Sequence, residues 1–338
     1  LIYDEQKVGQ WFPEERIRTS FLQRFPKFLR RRYRWLLPLL PVAAESFDLR
    51  DFDLVLSSSS AFAKGVIVRP KTLHICYCHN PARFIWDYSW AYLKEQKLGF
   101  FKKAFSEIYL SYLRLWDRAA ANRVDYFLAN SYVTAERIKK YYRREAKVIY
   151  PGIMMPDQKQ ISSSVHDSPE GYFLIVSQLV PYKKINVAVE AFNKLGWQLK
   201  IIGDGPQKKY LSKIANSNVE ILGWQPDEVV ENYLKNCLGL IFPGEDDFGL
   251  APVEAMAWGR PVLALRAGGA KETILPGITG EFFNAATSEV LADGVRRFRE
   301  NFEKYDPLVI RKWAERFSKE RFKKEIMEFI EKVSYNEK

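Results

Sequence analysis

Phe242-Pro243-Gly244-Glu245-Asp246-Asp247-Phe248-Gly249-Leu250-Ala251-Pro252-Val253-Glu254-Ala255-Met256-Ala257 is the most informative stretch of this 338-residue chain. A strand, 239–242, ends on Phe242, and an acidic loop follows. Gly249 then opens a helix whose first turn holds Pro252, where a missing N–H costs little. A helix start of this kind presents free N–H groups and a positive dipole end, which suits a diphosphate. Glu254 stands about one turn in, placed to accept bonds from ribose hydroxyls. Asp246, eight residues earlier on the loop, is placed for sugar hydroxyls.

The pattern continues on both sides. Apolar runs at 172–177, 198–202, 219–222, 261–264 and 280–283 alternate with helical spacing near 184–195, 207–215, 226–235, 251–258 and 270–275. Strand and helix in strict alternation predict parallel sheets with crossover helices. Ligands of such sheets bind outside the carboxyl ends of the strands. The first half repeats the theme, with strands at 53–57, 73–77, 124–129 and 148–150. Between them, 102–122 carries Phe105, Ile108, Tyr109, Tyr112, Leu115 and Trp116 at helical spacing. Asn130-Ser131 caps a further helix running to about Tyr142, with Lys139, Lys140 and Arg143 at its end. The polar stretch 158–171, holding Ser162-Ser163-Ser164 and Pro169, reads as a linker, and 306–338 is helical. The fold class is therefore α/β: two Rossmann-like domains, 1–157 and 158–317, facing across a cleft, followed by a terminal helix, 318–338.

Composition narrows the function classes. Hydrophobic residues make up 47% and charged residues 28%, which excludes a disordered or collagen-like chain. Three cysteines, Cys76, Cys78 and Cys237, cannot frame a disulfide scaffold, so a reducing compartment is expected. No uncharged apolar run approaches the ~20 residues of a membrane span. The chain opens on Leu1 without a basic-then-apolar leader pattern. The net charge of +11 is lopsided: residues 1–150 hold 27 Lys and Arg against 15 Asp and Glu, the remainder 25 against 26. Arg30-Arg31-Arg32-Tyr33-Arg34-Trp35 followed by Leu36-Leu37-Pro38-Leu39-Leu40 suits an anionic membrane surface as well as an ordinary solvated helix face. No nucleic-acid motif accompanies the patch, so nucleic acid is not expected as a partner. His74, Cys76 and Cys78 alternate on one strand face about 6.6 Å apart, too widely spaced to converge on zinc bonds near 2.0–2.3 Å. No metal site is expected, and the thiols read as buried. Trp86, Trp90 and Trp116 read as packing residues rather than sugar platforms.

Two glycine loops and a lysine complete the second half. Gly203-Asp204-Gly205-Pro206 follows a strand, and Gly268-Gly269-Ala270-Lys271-Glu272-Thr273 leads into a helix. Lys183, in Leu179-Val180-Pro181-Tyr182-Lys183, follows the first strand of this half and can neutralise phosphate. Glu272 reads equally as a nucleotide contact or as a helix cap. These blocks, in this order and with an acid, seven residues, then the glutamate of Glu-Ala-Met-Ala, resemble retaining nucleotide-sugar glycosyltransferases of family 4. In the first half Leu73-His74-Ile75-Cys76-Tyr77-Cys78-His79-Asn80-Pro81 and Tyr112-Leu113-Arg114-Leu115-Trp116-Asp117-Arg118 resemble the branch that builds bacterial surface polysaccharides, often from GDP-mannose.

The resemblance spans nearly the whole chain and implies the GT-B fold, with the last helix crossing back to the first domain. It implies a donor-binding second domain and an acceptor-binding first domain. Glu254 would then hold the ribose and Asp246 the transferred sugar. The backbone of Phe248, Gly249 and Leu250 would face sugar and phosphates, with Gly203, Gly205, Gly268 and Gly269 shaping the donor site. Lys183 would meet the diphosphate, and His79 would approach the sugar. The implied activity is metal-independent and cofactor-free: retaining hexose transfer from a nucleotide sugar to a lipid-linked or growing glycan. The implied location is cytoplasmic, peripheral on the inner face of the membrane. The sequence departs from the family pattern in three places. Asp246 replaces the usual Glu, Gln178 stands where a phosphate-binding Arg is usual, and about forty residues carrying a first strand and glycine-rich loop are expected before Leu1. A sugar-nucleotide epimerase of the same fold, or a catalytically weak binding subunit, are the alternatives.

Overall fold

The computed structural model describes residues 1–4, 12–31, 33–95, 99–161 and 171–335. Within it the chain forms two compact units, Leu1–Val148 and Ile149–Lys338. Most of the expected linker, 162–170, lies outside the described residues. Residues 149–157 are tied to the second unit: Lys319 N donates to Ile153 O at 2.9 Å and Arg321 to Tyr150 O at 2.7 Å.

The first unit is built on four parallel strands in the order β1 (Leu54–Ser59), β2 (Leu73–Cys78), β3 (Tyr126–Ala129) and β4 (Ala146–Val148). Every residue of β2 is buried, as a parallel strand covered on both faces must be. β4 starts two residues before the expected position and stops before Ile149. Ile149, just past the strand, stays buried. The helices of this unit are α1 (Lys27–Arg31), α2 (Leu40–Glu45), α3 (Ser89–Glu95), α4 (Phe100–Ala121) and α5 (Tyr132–Tyr142). Ser131 Oγ accepts from Thr134 N at 3.1 Å and caps α5 as its sequence position predicts.

Helix α4 splits the residues that mark it in the sequence between two faces. Its core-facing residues are Leu110, Leu113, Asp117, Ala120 and Ala121. Of the six residues whose spacing marks the helix, Phe105, Ile108, Tyr112 and Leu115 are 59–72% exposed, whereas Tyr109 and Trp116 pack against the core. Periodicity finds a helix; it does not say which of two apolar faces meets the core.

The second unit carries six parallel strands ordered β10 (Gly280–Phe283), β9 (Val262–Leu265), β8 (Gly239–Phe242), β5 (Phe173–Val176), β6 (Leu199–Ile202) and β7 (Val219–Gly223). The helices are α6 (Ile185–Leu195), α7 (Lys208–Ile214), α8 (Asp227–Asn236), α9 (Leu250–Ala257), α10 (Ala270–Thr273), α11 (Ser288–Glu300), α12 (Pro307–Ala314) and α13 (Lys319–Tyr335). α11 was not expected from the sequence; Thr287 Oγ1 caps it and Leu291, Val295 and Phe298 bury its inner face. Strand order runs outward from β5 through β6 and β7, and from β8 through β9 and β10 on the other side. The order reverses between β5 and β8. In doubly wound sheets the carboxyl ends at such a reversal form the natural ligand crevice. A single apolar core, including Phe173, Ile201, Leu240 and Phe283, fixes these six strand ends.

Candidate functional site

Four loops leave the carboxyl ends of the second unit's sheet, and each expected donor residue lies on one of them or on the helix that follows. β5 leads through Gln178 to Lys183, and β8 leads through Asp246 to Gly249. β6 leads to Gly203 and Gly205, and β9 leads to Gly268 and Gly269. Lys183 Nζ reaches both carboxylate oxygens of Asp246, so an ion pair closes the two loops that flank the β5/β8 reversal. The side chains are 14% and 22% exposed. This pair is therefore more than a surface contact, for which ~0–1 kcal/mol is usual.

Glycines let the loops approach this closely. A Cβ on Gly244 would lie 2.7 Å from the Lys183 backbone. Gly268 has φ +57°, and a Cβ there would lie 2.1 Å from Asp246 O. The neighbouring Gly269 N donates to Asp246 O at 2.9 Å, so the β9 loop holds the β8 loop by its main chain. Gly203 is packed equally tightly, its would-be Cβ 1.8 Å from Ser177 O, and Gly205 lies against Leu179 O. Leu179 N donates to Asp204 O at 2.9 Å.

Gly249, at φ +85°, is the N-cap of α9, and no side chain caps that helix start. Phe248 anchors the turn. Its ring packs against Tyr150 at 5.7 Å and Phe317 at 5.7 Å. Phe248 is thus buried as a whole residue, and so is Gly249. Leu250, by contrast, is 47% exposed. Glu254 lies one turn into α9. Burial raises its carboxyl pKa above the usual carboxylate value, and the nearby acids Asp227 and Glu231 of α8 raise it further. The sequence reading missed those two acids and Gly244. Gly244 sits inside the quoted block, whereas nothing in the sequence brings α8 to Glu254.

The first unit carries its own expected residue. His79 follows β2, and its main chain is fixed by His79 N to Ser59 O at 2.9 Å and Thr134 Oγ1 to His79 O at 3.1 Å. Its Nε2 lies 2.8 Å from Ser58 Oγ, and Tyr77 meets the ring edge-on at 5.4 Å. Burial lowers its pKa, so the imidazole is neutral at neutral pH. Ser58 had no distinguishing signal in the sequence.

The other cysteine and histidine readings are also placed. His74 Nε2 lies 2.9 Å from Ser57 Oγ inside the sheet. Cys76, Cys78 and Cys237 are free and buried. Among the described residues no group of His, Cys, Asp and Glu is arranged to hold a metal. Trp86 stacks on Tyr141 at 4.7 Å, and Trp116 packs on Phe62 at 5.7 Å, as packing residues should. Trp90 does not: it is 79% exposed.

Residues 156–311 match the family Glycosyl transferases group 1, and residues 8–154 match Glycosyltransferase Family 4. The chain carries the two domains of a group 1, family 4 glycosyltransferase with the GT-B fold. The alpha-1,3/1,6-mannosyltransferase ALG2 of Saccharomyces cerevisiae is 24% identical over 78% of this chain and 62% of its own length. An uncharacterized glycosyltransferase of Methanocaldococcus jannaschii is 29% identical over 49% of this chain and 47% of its own. The chain thus spans about half to two thirds of these relatives. Among solved structures, sucrose-phosphate synthase from Thermosynechococcus elongatus superposes with a TM-score of 0.70 at 16% identity, over 95% of this chain and 83% of that one. Anabaena HepE, crystallised with UDP and glucose, gives 0.62 at 18% identity, over 89% and 83%.

Proposed function

We propose that the chain is a retaining glycosyltransferase that moves a hexose, mannose from GDP-mannose first, onto a lipid-linked or growing polysaccharide acceptor. The Lys183–Asp246 pair at the β5/β8 reversal carries this reading. It sets a cation for the diphosphate beside an acceptor for sugar hydroxyls. The uncapped start of α9 adds oriented N–H groups for the departing charge. Lys183 and that helix end supply the positive field without a metal or cofactor. Glu254 accepts bonds from the ribose. In the step itself the bond from the sugar's anomeric carbon to phosphate oxygen breaks and the bond to the acceptor oxygen forms on the same face. The acceptor hydroxyl proton passes to the leaving diphosphate.

UDP-hexose is the competing donor, because HepE was crystallised with UDP and glucose. Asp246, shorter than the usual Glu, and the exposed Gln178 favour a slow enzyme or a binding subunit as the second reading. Incubating the purified protein with GDP-mannose, UDP-glucose and UDP-galactose separates these cases. Hydrolysis or transfer that Glu254→Ala abolishes supports the proposal. Epimerised free donor, or tight donor binding without turnover, contradicts it.

The location proposed is the cytoplasmic face of a membrane, held peripherally. Among the described residues no helix is long and apolar enough to cross a bilayer. The support is the basic first half together with Phe105, Ile108, Tyr112 and Leu115 exposed along α4. In the Arg30–Leu40 stretch, Arg32 lies outside the described residues. Sedimentation with anionic vesicles that weakens as salt rises is the expected result; binding insensitive to salt would contradict it.

A further inference from the structure

A hollow of about 260 Å³ lies between α3 and α4 of the first unit. Ser89, Trp90 and Leu93 line it from α3, and Glu107, Leu110 and Arg114 from α4. We propose that it is a subsite for one pyranose ring of a glycan. The proposal deepens the glycosyltransferase reading, on which it rests for identifying the glycan as acceptor.

The chemistry of the lining selects the ligand. Leu93 and Leu110 are buried and give the hollow an apolar floor. Trp90 stands 79% exposed beside it, although a tryptophan has 150–250 Å² to bury. It offers an open aromatic face, unlike Trp86 and Trp116, which pack on Tyr141 and Phe62. Glu107 and Arg114 are two turns apart on one side of α4, so a carboxylate and a guanidinium flank the floor. Arg114 spends one terminal N–H on Ile85 O at 2.8 Å, out of the five donors the guanidinium has. Ser89 Oγ donates to Trp86 O at 2.9 Å and keeps its lone pairs for accepting.

A pyranose matches each of these features. One ring face is lined by C–H groups and fits an aromatic plate. The rim bears hydroxyls, each both donor and acceptor, which can bond Glu107, Arg114 and Ser89. An acyl chain would press apolar surface against a carboxylate and a guanidinium and offer neither a hydrogen-bond partner. An anion would meet Glu107, and a cation would meet Arg114. The volume is below the ~300–1,000 Å³ of pockets for drug-sized ligands, so it takes one ring rather than a chain. The exposed face of α3 leaves the remainder of a glycan in solvent.

Saturation-transfer NMR on the full chain tests this, with methyl α-mannoside, methyl β-galactoside, N-acetylglucosamine and α-linked mannotriose as probes. At least one should receive saturation from the protein at millimolar concentration. Trp90→Ala should weaken that binding at least tenfold and Glu107→Gln about fivefold. Both side chains are exposed, so circular dichroism and calorimetric titration of the donor should be unchanged. In turnover the same variants should raise KM for a glycan acceptor and leave kcat and donor hydrolysis alone. Failure of all four probes to bind, or Trp90→Ala binding like wild type, overturns the subsite. So does uptake of a fluorescent fatty acid that Trp90→Ala abolishes. Donor hydrolysis that survives any of these outcomes keeps the glycosyltransferase reading separate from the subsite.

Discussion

The two units solve the same architectural problem in different materials. The second unit positions its site with main chain: glycines let β5, β6, β8 and β9 loops touch, and one apolar core fixes all the strand ends. The first unit has two smaller apolar clusters and places a buried polar network between its sheet and helices. Lys64 and Asp117, each 2% exposed, form an ion pair there. Asp117 also accepts from Trp86 Nε1 and Tyr142 OH, both at 2.8 Å. Lys64 lies over the Tyr142 ring at 5.2 Å and donates to Ala61 O at 2.6 Å. The difference shows that a site built from backbone depends on close approach, whereas a unit held by buried charge depends on a few side chains.

The largest effect should therefore come from the first unit. Asp117→Ala strands the buried Lys64 ammonium and removes the acceptor of two further donors. Removing one partner of a buried pair costs about 3–5 kcal/mol, so urea melts followed by far-ultraviolet circular dichroism should show the first unit unfolding at lower urea. Lys64→Met combined with Asp117→Leu should recover the part due to the stranded ammonium, while Trp86 Nε1 and Tyr142 OH still lack their acceptor. If Asp117→Ala melts like wild type, the network does not hold the unit together.

Gly268→Ala is the matching break in the second unit. The residue sits at φ +57°, and its new Cβ would collide with Asp246 O. The strain at a position of this kind is about 1–3 kcal/mol, with most of it expressed as a displaced Asp246 loop. The expected outcome is a lowered Tm together with weakened donor binding. A lowered Tm with unchanged donor affinity would separate the loop clasp from the site.

These two contrasts also explain what the sequence could show. The donor loops were legible because glycines, a proline at a helix start and acids at fixed spacing are local signals. Lys183, Asp246, Gly203 and Gly268 all fall where strand ends put them. The strand starting at Ala146 instead of Val148 was misplaced because Ala146 and Lys147 lack the apolar and β-branched signal that Val148-Ile149-Tyr150 carries. The facing of α4 was not legible, since apolar residues cover both sides of it and only the tertiary structure chooses between them. Trp90 was read as packing for the same reason: residue type alone does not separate it from Trp86. Asp227 and Glu231 reach Glu254 only through the packing of α8 on α9.

A smaller and more specific effect concerns pH. Glu254 has a raised pKa, so the folded protein binds its proton more tightly than the unfolded chain does. Stability from this group is then present at low pH and is lost as pH rises through the folded-state value. Glu254→Gln removes that loss and should raise Tm at neutral pH. Ribose binding needs the carboxylate, so in wild type donor affinity should begin to fall at a higher pH than an ordinary glutamate would give. A Glu254→Gln protein with lower Tm at neutral pH would contradict the burial that sets this shift. The smallest expected effect is at Gln178, which is exposed beside the site. Gln178→Arg adds a charge for phosphate and should tighten donor binding about tenfold, an effect measurable by calorimetry.

The most direct test of the central claim is calorimetric titration of GDP-mannose and UDP-glucose into wild type, Glu254→Gln and Lys183→Ala. The account predicts binding of one donor by wild type. Each variant should weaken it about 10- to 100-fold, the loss of one or two hydrogen bonds to a charged group. Equal affinity in all three proteins would contradict a donor site at the carboxyl ends of β5 and β8.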